Sequence, residues 1–466
     1  MTYRSTRGKA PELGFADVLL AGLATDGGLY VPTEIPELGE GITDELSYSE
    51  IAIAVMWPFV EGSIGRADFV AMVTDTYRGF SDPAVAPVFD LGHNQWLCDL
   101  SFGPTLAFKD FALQLLGRLL DYELTKRDER VTVIGATSGD TGSAAIHALA
   151  NRERVEVVIL HPEGRVSEIQ RRQMTTVDAP NITNLAVAGN FDDCQDLVKE
   201  AFGDADLRVG ARLAAVNSIN WARVMAQTAY YVSAARRVSP SGAAVSFSVP
   251  TGNFGNVLAG WYAKHMGLPI DQLIVASNRN DVLTRVLESG ALVAESVVPS
   301  LSPSMDIQIS SNFERLLFEA SGGDGDAVTE LLSTFRATGT VQVPDAWMDR
   351  IREEFDGGRL DDDGTLAEMR RVHSELGILV DPHTAVALHV GRNRRRDPDV
   401  PLIVLGTAHP AKFGAAVAEA TGVTPEVPDR AGDLMNLPER FHSVPNDLGA
   451  IRPYLPLQSG SGEKHA

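Results

Sequence analysis

Apolar and polar positions change their rhythm along this chain, and the rhythm predicts the elements. From Phe15 to Ala24, FADVLLAGLA is a compact amphipathic segment, closed by the turn Thr25-Asp26-Gly27-Gly28. Leu29 to Val31 reads as a short strand stopped by Pro32, and Tyr48 to Phe59 as a further helix. Residues 1–90 therefore read as mainly helical, with Pro83 and Pro87 marking the end of the region. Val88 to Asp90 and Gln95 to Leu100 predict strands. Phe111, Leu115 and Leu119 then recur at helical spacing. Further strands are expected at RVTVIGAT (Arg130 to Thr137), Val155 to Leu160, Ala243 to Val249, Leu273 to Ala276 and VPLIVLG (Val400 to Gly406). Helices are expected between and after them, at SAAIHALA, Phe191 to Ala201, Trp221 to Val238, VLAGWYAKHM and AKFGAAVAEA. Strands alternating with helices imply an α/β fold with a doubly wound parallel sheet. Within residues 322–365, GGDGD and FDGGRLDDDG are acidic and glycine-rich. The second lacks EF-hand spacing and a closing glutamate, so it reads as a solvated turn and not a calcium loop. After Pro425 the pattern fades, and Ser459 to Ala466 reads as a loose tail.

Length and charge narrow the function classes. A chain of 466 residues can bury large cores and is expected to hold two or three domains. A net charge of −22 argues against bulk attraction to nucleic acid or anionic membrane. It also makes any anion site depend on local backbone N–H groups and a few cations. Cys98 and Cys194 show neither metal-ligand spacing nor a disulfide framework, and no metal site is expected. A reducing cytoplasm fits best. The first residues, MTYRSTRGKAPELG, lack a signal-peptide apolar segment, and no apolar run reaches the length of a membrane span.

The candidate chemistry sits at strand ends. In an open parallel sheet, ligands bind outside the carboxyl ends of the strands. SGDTG (Ser138 to Gly142) follows one strand, GNFGN (Gly252 to Asn256) a second, and Thr407 a third. Glycines let each loop bend sharply, and the next helix offers unpaired N–H groups to an anion. The bland alternatives are ordinary tight turns, and for Thr407 a helix cap. Neither loop has the P-loop lysine or the G-x-G-x-x-G spacing of a nucleotide site. One further residue stands out. In SFGPTLAFKDFALQLLG, Lys109 lies between Phe108 and an apolar run, where a turn becomes a helix. Desolvation favours the neutral, nucleophilic amine, which suits Schiff-base chemistry, although a lysine there could also snorkel. A phosphate-bearing aldehyde cofactor, pyridoxal phosphate, would account for both cradles and the lysine together.

The motifs YRSTRG, ATDGGLYVP, PTLAFKDFA, GATSGDTGSAA, VNSINWAR, PTGNFGN and DPHTAVA stand in this order along nearly the whole chain. In them the chain resembles the threonine synthases, fold-type II pyridoxal-phosphate enzymes related to the tryptophan synthase β chain. That resemblance implies a threonine-synthase-type N-terminal region (1–90) and a catalytic region (91–430). The catalytic region would divide into a smaller α/β subdomain, about 111–240, and a larger one, about 241–430 with 91–110. Residues 431–466 would form an extension. It implies a lyase of threonine biosynthesis that converts O-phospho-L-homoserine and water to L-threonine and phosphate. Lys109 would carry the cofactor and move protons; Gly252, Asn253, Phe254, Gly255 and Asn256 would cradle its phosphate, and Thr407 would meet its ring nitrogen. Ser138, Gly139, Thr141 and Gly142 would hold the substrate carboxylate. Asp140 stands where many relatives have Asn, and its role is left open. Arg223 and Lys412 are candidates for the substrate phosphate, with Asn217, Ser218 and Asn220 beside them. A cytoplasmic monomer or small homo-oligomer is expected, without nucleic acid or membrane partners. The competing readings are a serine or threonine dehydratase of the same fold type, and a phospho-ligand binding module without covalent chemistry.

Overall fold

The computed structural model describes residues 1–39, 41–215 and 217–456. By contact the chain divides into two compact units: residues 1–112 with 218–428, and residues 113–217 with those from 429 onward.

The first unit is built on a six-stranded sheet. Its order is Phe355–Arg359, Ile270–Ser277, Val245–Pro250, Leu402–Gly406, Gln95–Asp99, Val88–Gly92. All pairings are parallel except that of Val88–Gly92 with Gln95–Asp99. Val245–Pro250 and Leu402–Gly406 are buried at every position. That is why they read as unbroken apolar runs: both faces of a parallel sheet are covered. Ile274, Val404 and Leu402 share a core with Val386, Leu388, Val390 and Val417 from the flanking helices.

The N-terminal region is mainly helical as expected, with helices Phe15–Ala21, Tyr48–Val60 and Arg66–Arg78, and the strand expected at Leu29 to Val31 forms as Tyr30–Pro32. Thr2–Ser5 and Leu13–Gly14, which join it in an antiparallel sheet, are too short to leave a legible period. Two expectations about this unit change. The FDGGR half of the acidic glycine segment is a strand, not a turn. Its glycines are packed: a Cβ on Gly357 would lie 2.8 Å from Leu287 Cδ1, and one on Gly358 2.8 Å from Val390 Cγ1. Close approach of neighbouring side chains, not turn geometry, requires glycine there. Finally, the boundary expected near residue 240 falls at 217/218. Helix Trp221–Val238 is buried from Trp221 through Ala235, because it packs with Tyr48–Val60 and with the helix Gly255–His265 of its own unit.

The second unit holds a five-stranded, wholly parallel sheet, ordered His442–Pro445, Ile182–Ala188, Val155–Pro162, Val131–Ala136, Leu213–Ala214. Ile134, Val158, Leu160, Leu185 and Val187 meet Cys194, Leu197 and Val444 in its core. The strand at His442 lies where the sequence pattern fades. It buries one position of four, too few to show a period. The tail expected from Ser459 lies outside the described residues. Cys98 and Cys194 are both free and buried. Among the described residues no helix is long and apolar enough to cross a membrane.

Candidate active site

Lys109 opens the helix Lys109–Arg127, and the loop before it is tightly constrained. The Asp110 carboxylate accepts the Thr105 N–H and the Thr105 hydroxyl, each at 2.8 Å, and so folds the loop back on the helix start. A Cβ on Gly103 would lie 2.4 Å from that of Asp110, which excludes any side chain there. Leu106 adopts a left-handed φ of 62°, a strained choice for a branched residue. The segment after strand Leu402–Gly406 holds it in place. Phe108 N–H donates to the Thr407 carbonyl at 2.9 Å and His409 N–H to the Leu106 carbonyl at 3.0 Å. Lys412 is fully buried, and its Nζ donates to the Thr105 carbonyl at 2.6 Å. The result is a lysine only 8% exposed, with Nζ 3.1 Å from Ser304 Oγ and 5.8 Å from the Phe108 ring centre.

The motif Asp381-Pro382-His383-Thr384 reaches Thr407 and Ser304, the neighbour of Lys109. Asp381 is fully buried and caps helix Pro382–Arg394. One carboxylate oxygen meets the His383 N–H at 2.9 Å and His383 Nδ1 at 2.8 Å; the other accepts the Thr384 hydroxyl. Thr384 Oγ1 accepts the Thr407 N–H at 3.2 Å, and His383 Nε2 accepts the Ser304 N–H at 3.3 Å. The segment carrying Ser304 is pinned by Asp306, whose carboxylate accepts from Asn278 and Asn280 at 2.7 and 2.9 Å. Burial raises the Asp306 carboxyl above its ordinary range, against those bonds and the one from Ser300. The motif is visible in the sequence; its link to Ser304 is not.

GNFGN forms a tight turn into helix Gly255–His265 in the same unit. The Gly252 carbonyl accepts from Ser310 Oγ at 2.8 Å, and the Asn253 carbonyl from Asn312 N at 3.1 Å and Nδ2 at 2.9 Å. A planar trans peptide points the next N–H the opposite way. The N–H groups of Asn253 and Phe254 therefore face away from residues 310–312. Helix Gly255–His265 follows, with no side-chain cap, and its first turn adds unpaired N–H groups. Phe254 sits at φ 62°, and its ring meets that of Phe313 edge-on at 5.3 Å and that of Phe355 at a tilt at 5.6 Å. The Asn256 side chain completes the donors. The Tyr230 hydroxyl lies 2.6 Å from Asn256 Oδ1, an O–H···O length and shorter than N–H···O bonds run. Oxygen thus faces the tyrosines, and the buried Nδ2 has no hydrogen-bond partner among the described residues. A buried, unsatisfied donor beside an uncapped helix start suits a bound anion.

Arg315 ties this turn to VNSINWAR and to the N-terminal sheet. It is fully buried, donating to the Tyr30 carbonyl at 3.0 Å, to the Ile219 carbonyl at 2.7 Å and to Asn312 Oδ1. Burial pulls its guanidinium down to about 10, so it stays charged at neutral pH. The neighbouring Glu314 is gripped by Thr6 at 2.7 Å and twice by Arg7 at 3.1 Å, which gives YRSTRG a bracing role. Of the candidate substrate residues, Ser218 accepts from Asn312 Nδ2 through its carbonyl at 3.2 Å. The Asn220 side chain caps helix Trp221–Val238 and donates to the Leu19 carbonyl at 2.9 Å. Arg223 is buried and likewise pulled down to about 10 by desolvation, with Tyr230 acting the other way.

In the second unit, SGDTG leads into helix Asp140–Leu149. Thr137 Oγ1 accepts the N–H groups of Gly139 and Gly142 at 3.0 and 2.9 Å and shapes the loop. Gly139 has φ 140°, and a Cβ there would lie 2.5 Å from the Gln170 side chain. Gln170 Nε2 donates to Asp140 Oδ1 at 2.8 Å, while its Oε1 accepts from Ser167 at 2.9 Å. Asp140 is therefore presented as an acceptor, buried at the helix start. Ser138 and Thr141 are half-buried and Asn217 is exposed. Sequence reasoning assigned no role to Ser304, His383, Asn312, Arg315, Tyr230 or Gln170. DPHTAVA was the only one of their motifs that stood out.

Three family models match: "Threonine synthase N terminus" over residues 2–77, "Pyridoxal-phosphate dependent enzyme" over residues 86–342, and "Threonine synthase, C-terminal" over residues 384–455. The chain is 51% identical to a threonine synthase of Pseudomonas aeruginosa, over 99% of this chain and 100% of that one. It superposes on a pyridoxal-phosphate-bound threonine synthase of Brucella melitensis with a TM-score of 0.95 and 49% identity, covering 98% of each chain. The threonine synthase of yeast gives 0.92 at 36% identity, over 97% of this chain and 98% of that one.

Proposed function

The chain belongs to the threonine synthases, pyridoxal-phosphate dependent lyases that turn O-phospho-L-homoserine and water into L-threonine and phosphate, and from that premise we propose how its residues divide the work. One observation carries the assignment. Lys109 Nζ stands 3.1 Å from the Ser304 hydroxyl. A Cβ on Gly252 would stand 2.6 Å from the Ser304 carbonyl. The buried lysine and the anion cradle therefore share a neighbour.

In the first unit, Lys109 would bond the cofactor through its amine. Gly252, Asn253, Phe254, Gly255 and Asn256 would hold its phosphate, and Thr407 would meet its ring nitrogen. When bound, the cofactor supplies a conjugated system that draws electrons from the substrate's Cα and Cβ. The Lys109 amine takes and returns protons at the substrate carbons. Arg223 supplies a desolvated cation for a phosphate, with Ser218 near it in sequence. Asn220 and Lys412 serve as braces: their polar atoms are engaged with Leu19, the helix start at Ala222, and Thr105. In the second unit the SGDTG loop, with the Ser138 and Thr141 side chains, would hold the carboxylate, and Asn217 would be a further polar group. The Gly139 and Gly142 N–H groups, bonded to Thr137 Oγ1, keep the loop in shape. Asp140 accepts from Gln170 Nε2 at 2.8 Å. The net charge of −22 argues against nucleic-acid and anionic-membrane partners, and the protein would work in the cytoplasm as a monomer or small homo-oligomer.

The test is direct. Fed O-phospho-L-homoserine, the protein should form L-threonine and phosphate in equal amounts. Borohydride reduction should fix the cofactor to Lys109. Lys109→Ala should bind pyridoxal phosphate only reversibly and lose turnover. Cofactor fixed to a different lysine would overturn the assignment.

A further inference from the structure

Resting on that reading of Lys109, we propose that Ser304 is a further catalytic residue and His383 its positioning residue. The Ser304 hydroxyl receives the Lys109 amine whenever that amine is not bonded to the cofactor, and the Asp381–His383 pair fixes where the hydroxyl stands.

Four observations carry this. First, Ser304 Oγ lies 3.1 Å from Lys109 Nζ. A lysine side chain has four rotatable bonds, and ordering it costs up to about 2 kcal/mol of rotamer entropy. An amine that must return to one carbon atom at each turnover gains from a fixed acceptor. Second, the tautomer of His383 is set by its surroundings. Nδ1 lies 2.8 Å from a carboxylate oxygen of Asp381 and so bears the proton. Nε2 is left with a lone pair, and that lone pair accepts the Ser304 N–H at 3.3 Å. Third, the ring cannot swing. It is 3% exposed, and the Phe413 ring packs edge-on with centres 4.8 Å apart. Fourth, the Ser304 backbone is confined on its other side by Gly252 of the cradle, where even a Cβ would stand 2.6 Å from the Ser304 carbonyl. Ser304 is thus held between a histidine and the phosphate loop, with its hydroxyl presented to the one amine the reaction uses. Ser304 gains and loses no proton in this role. A proton leaves a substrate carbon for the Lys109 amine and returns from it, while the serine oxygen accepts an N–H bond.

The experiment uses the holoenzyme and the variants Ser304→Ala, His383→Gln and His383→Asn. Three quantities are read: cofactor attachment at Lys109 by borohydride reduction and peptide mapping, kcat and KM for O-phospho-L-homoserine, and exchange of the Cα proton of L-threonine in deuterated water. Ser304→Ala should keep the cofactor on Lys109 and keep KM. It should lower both kcat and Cα exchange by about a hundredfold, the cost typical of an approximately 1 Å misplacement of a reacting group. A glutamine can place an acceptor near the Nε2 position, whereas an asparagine can reproduce only the donor to Asp381. His383→Gln should therefore stay closer to wild type than His383→Asn. If Cα exchange in Ser304→Ala matches wild type while the label maps to Lys109, this inference falls and the cofactor assignment stands. The reverse order of the two histidine variants would also overturn it. A label on a different lysine removes the cofactor assignment, and this inference with it.

Discussion

Asn256 shows how much of the site depends on single atoms. Its amide oxygen is occupied by tyrosine hydroxyls, and its buried nitrogen has no hydrogen-bond partner among the described residues, as a donor to the proposed phosphate would. Asn256→Asp keeps the shape and replaces that donor with an acceptor facing the phosphate. Hydrogen bonds to charged groups contribute about 1.5–3 kcal/mol, or roughly ten- to a hundredfold in affinity. Titrating the apo-protein with pyridoxal phosphate should therefore show affinity loss near the top of that range for Asn256→Asp, and a smaller loss for Asn256→Ala. Equal affinity in all three proteins would mean that the phosphate lies elsewhere. At this scale the sequence was legible where a residue's own neighbours made it odd. Lys109 is a cation in an apolar run, and GNFGN joins glycines to amides. Ser304 and His383 were not legible. Ser304 meets Lys109 across 195 positions of chain and His383 across 79. A serine in SPSM or a histidine after a proline carries no local mark of such a partner.

Helices and strands decide how firmly those atoms stand. Helix Pro382–Arg394, which carries His383 and Thr384 in its first turn, is tied at its far end to helix Asp362–Leu376. The tie is Glu368, which accepts two bonds from Arg392, at 2.7 and 2.8 Å, and two from Arg371, at 2.7 and 3.1 Å. Burial alone would raise the Glu368 carboxyl. The bonds from Arg392, His389 and Arg371 outweigh it and hold the group well below the usual carboxylate range. A depressed carboxyl adds stability above its unfolded pKa, and that stability is lost as pH falls toward the folded value. Wild type should accordingly lose stability progressively below about pH 4.5, the ordinary value for a glutamate. Glu368→Gln should unfold more easily at neutral pH, by on the order of 3 kcal/mol. The gap to wild type should close in acid, as denaturant titrations at several pH values would show. An equal gap at all pH values would mean that the loss comes from packing. Element by element, the buried parallel strands and long helices could be read from their apolar runs. The strand Phe355–Arg359 could not, since its two glycines answer to Leu287 and Val390, which lie far away in sequence.

The whole molecule sets an electrostatic problem that its site must solve. A chain of net charge −22 repels a doubly anionic substrate at long range, so holding the anion depends on local cations and backbone N–H groups. Parallel strand pairing, and the loops at the strand ends, followed from the alternation of strands and helices; the antiparallel edge at Val88–Gly92 did not. The division at 217/218 did not, because helix Trp221–Val238 declares its allegiance only through packing. The same whole-molecule view separates two reactions that would release the same phosphate. Hydrolysis at phosphorus needs only an anion site and water, whereas a threonine synthase works through pyridoxal phosphate, which Lys109 is proposed to carry here. That machinery acts on carbon, so the C–O bond to the γ-phosphate should break and the P–O bond should survive. In water enriched in heavy oxygen, the threonine hydroxyl should carry the label and the released phosphate should not. In deuterated water, deuterium should enter at Cα and in the methyl group, because both receive protons during the reaction. Mass spectrometry of the two products reads all four positions. Homoserine accompanied by labelled phosphate and no carbon-bound deuterium would mean that the lysine and its cradle take no part in bond cleavage.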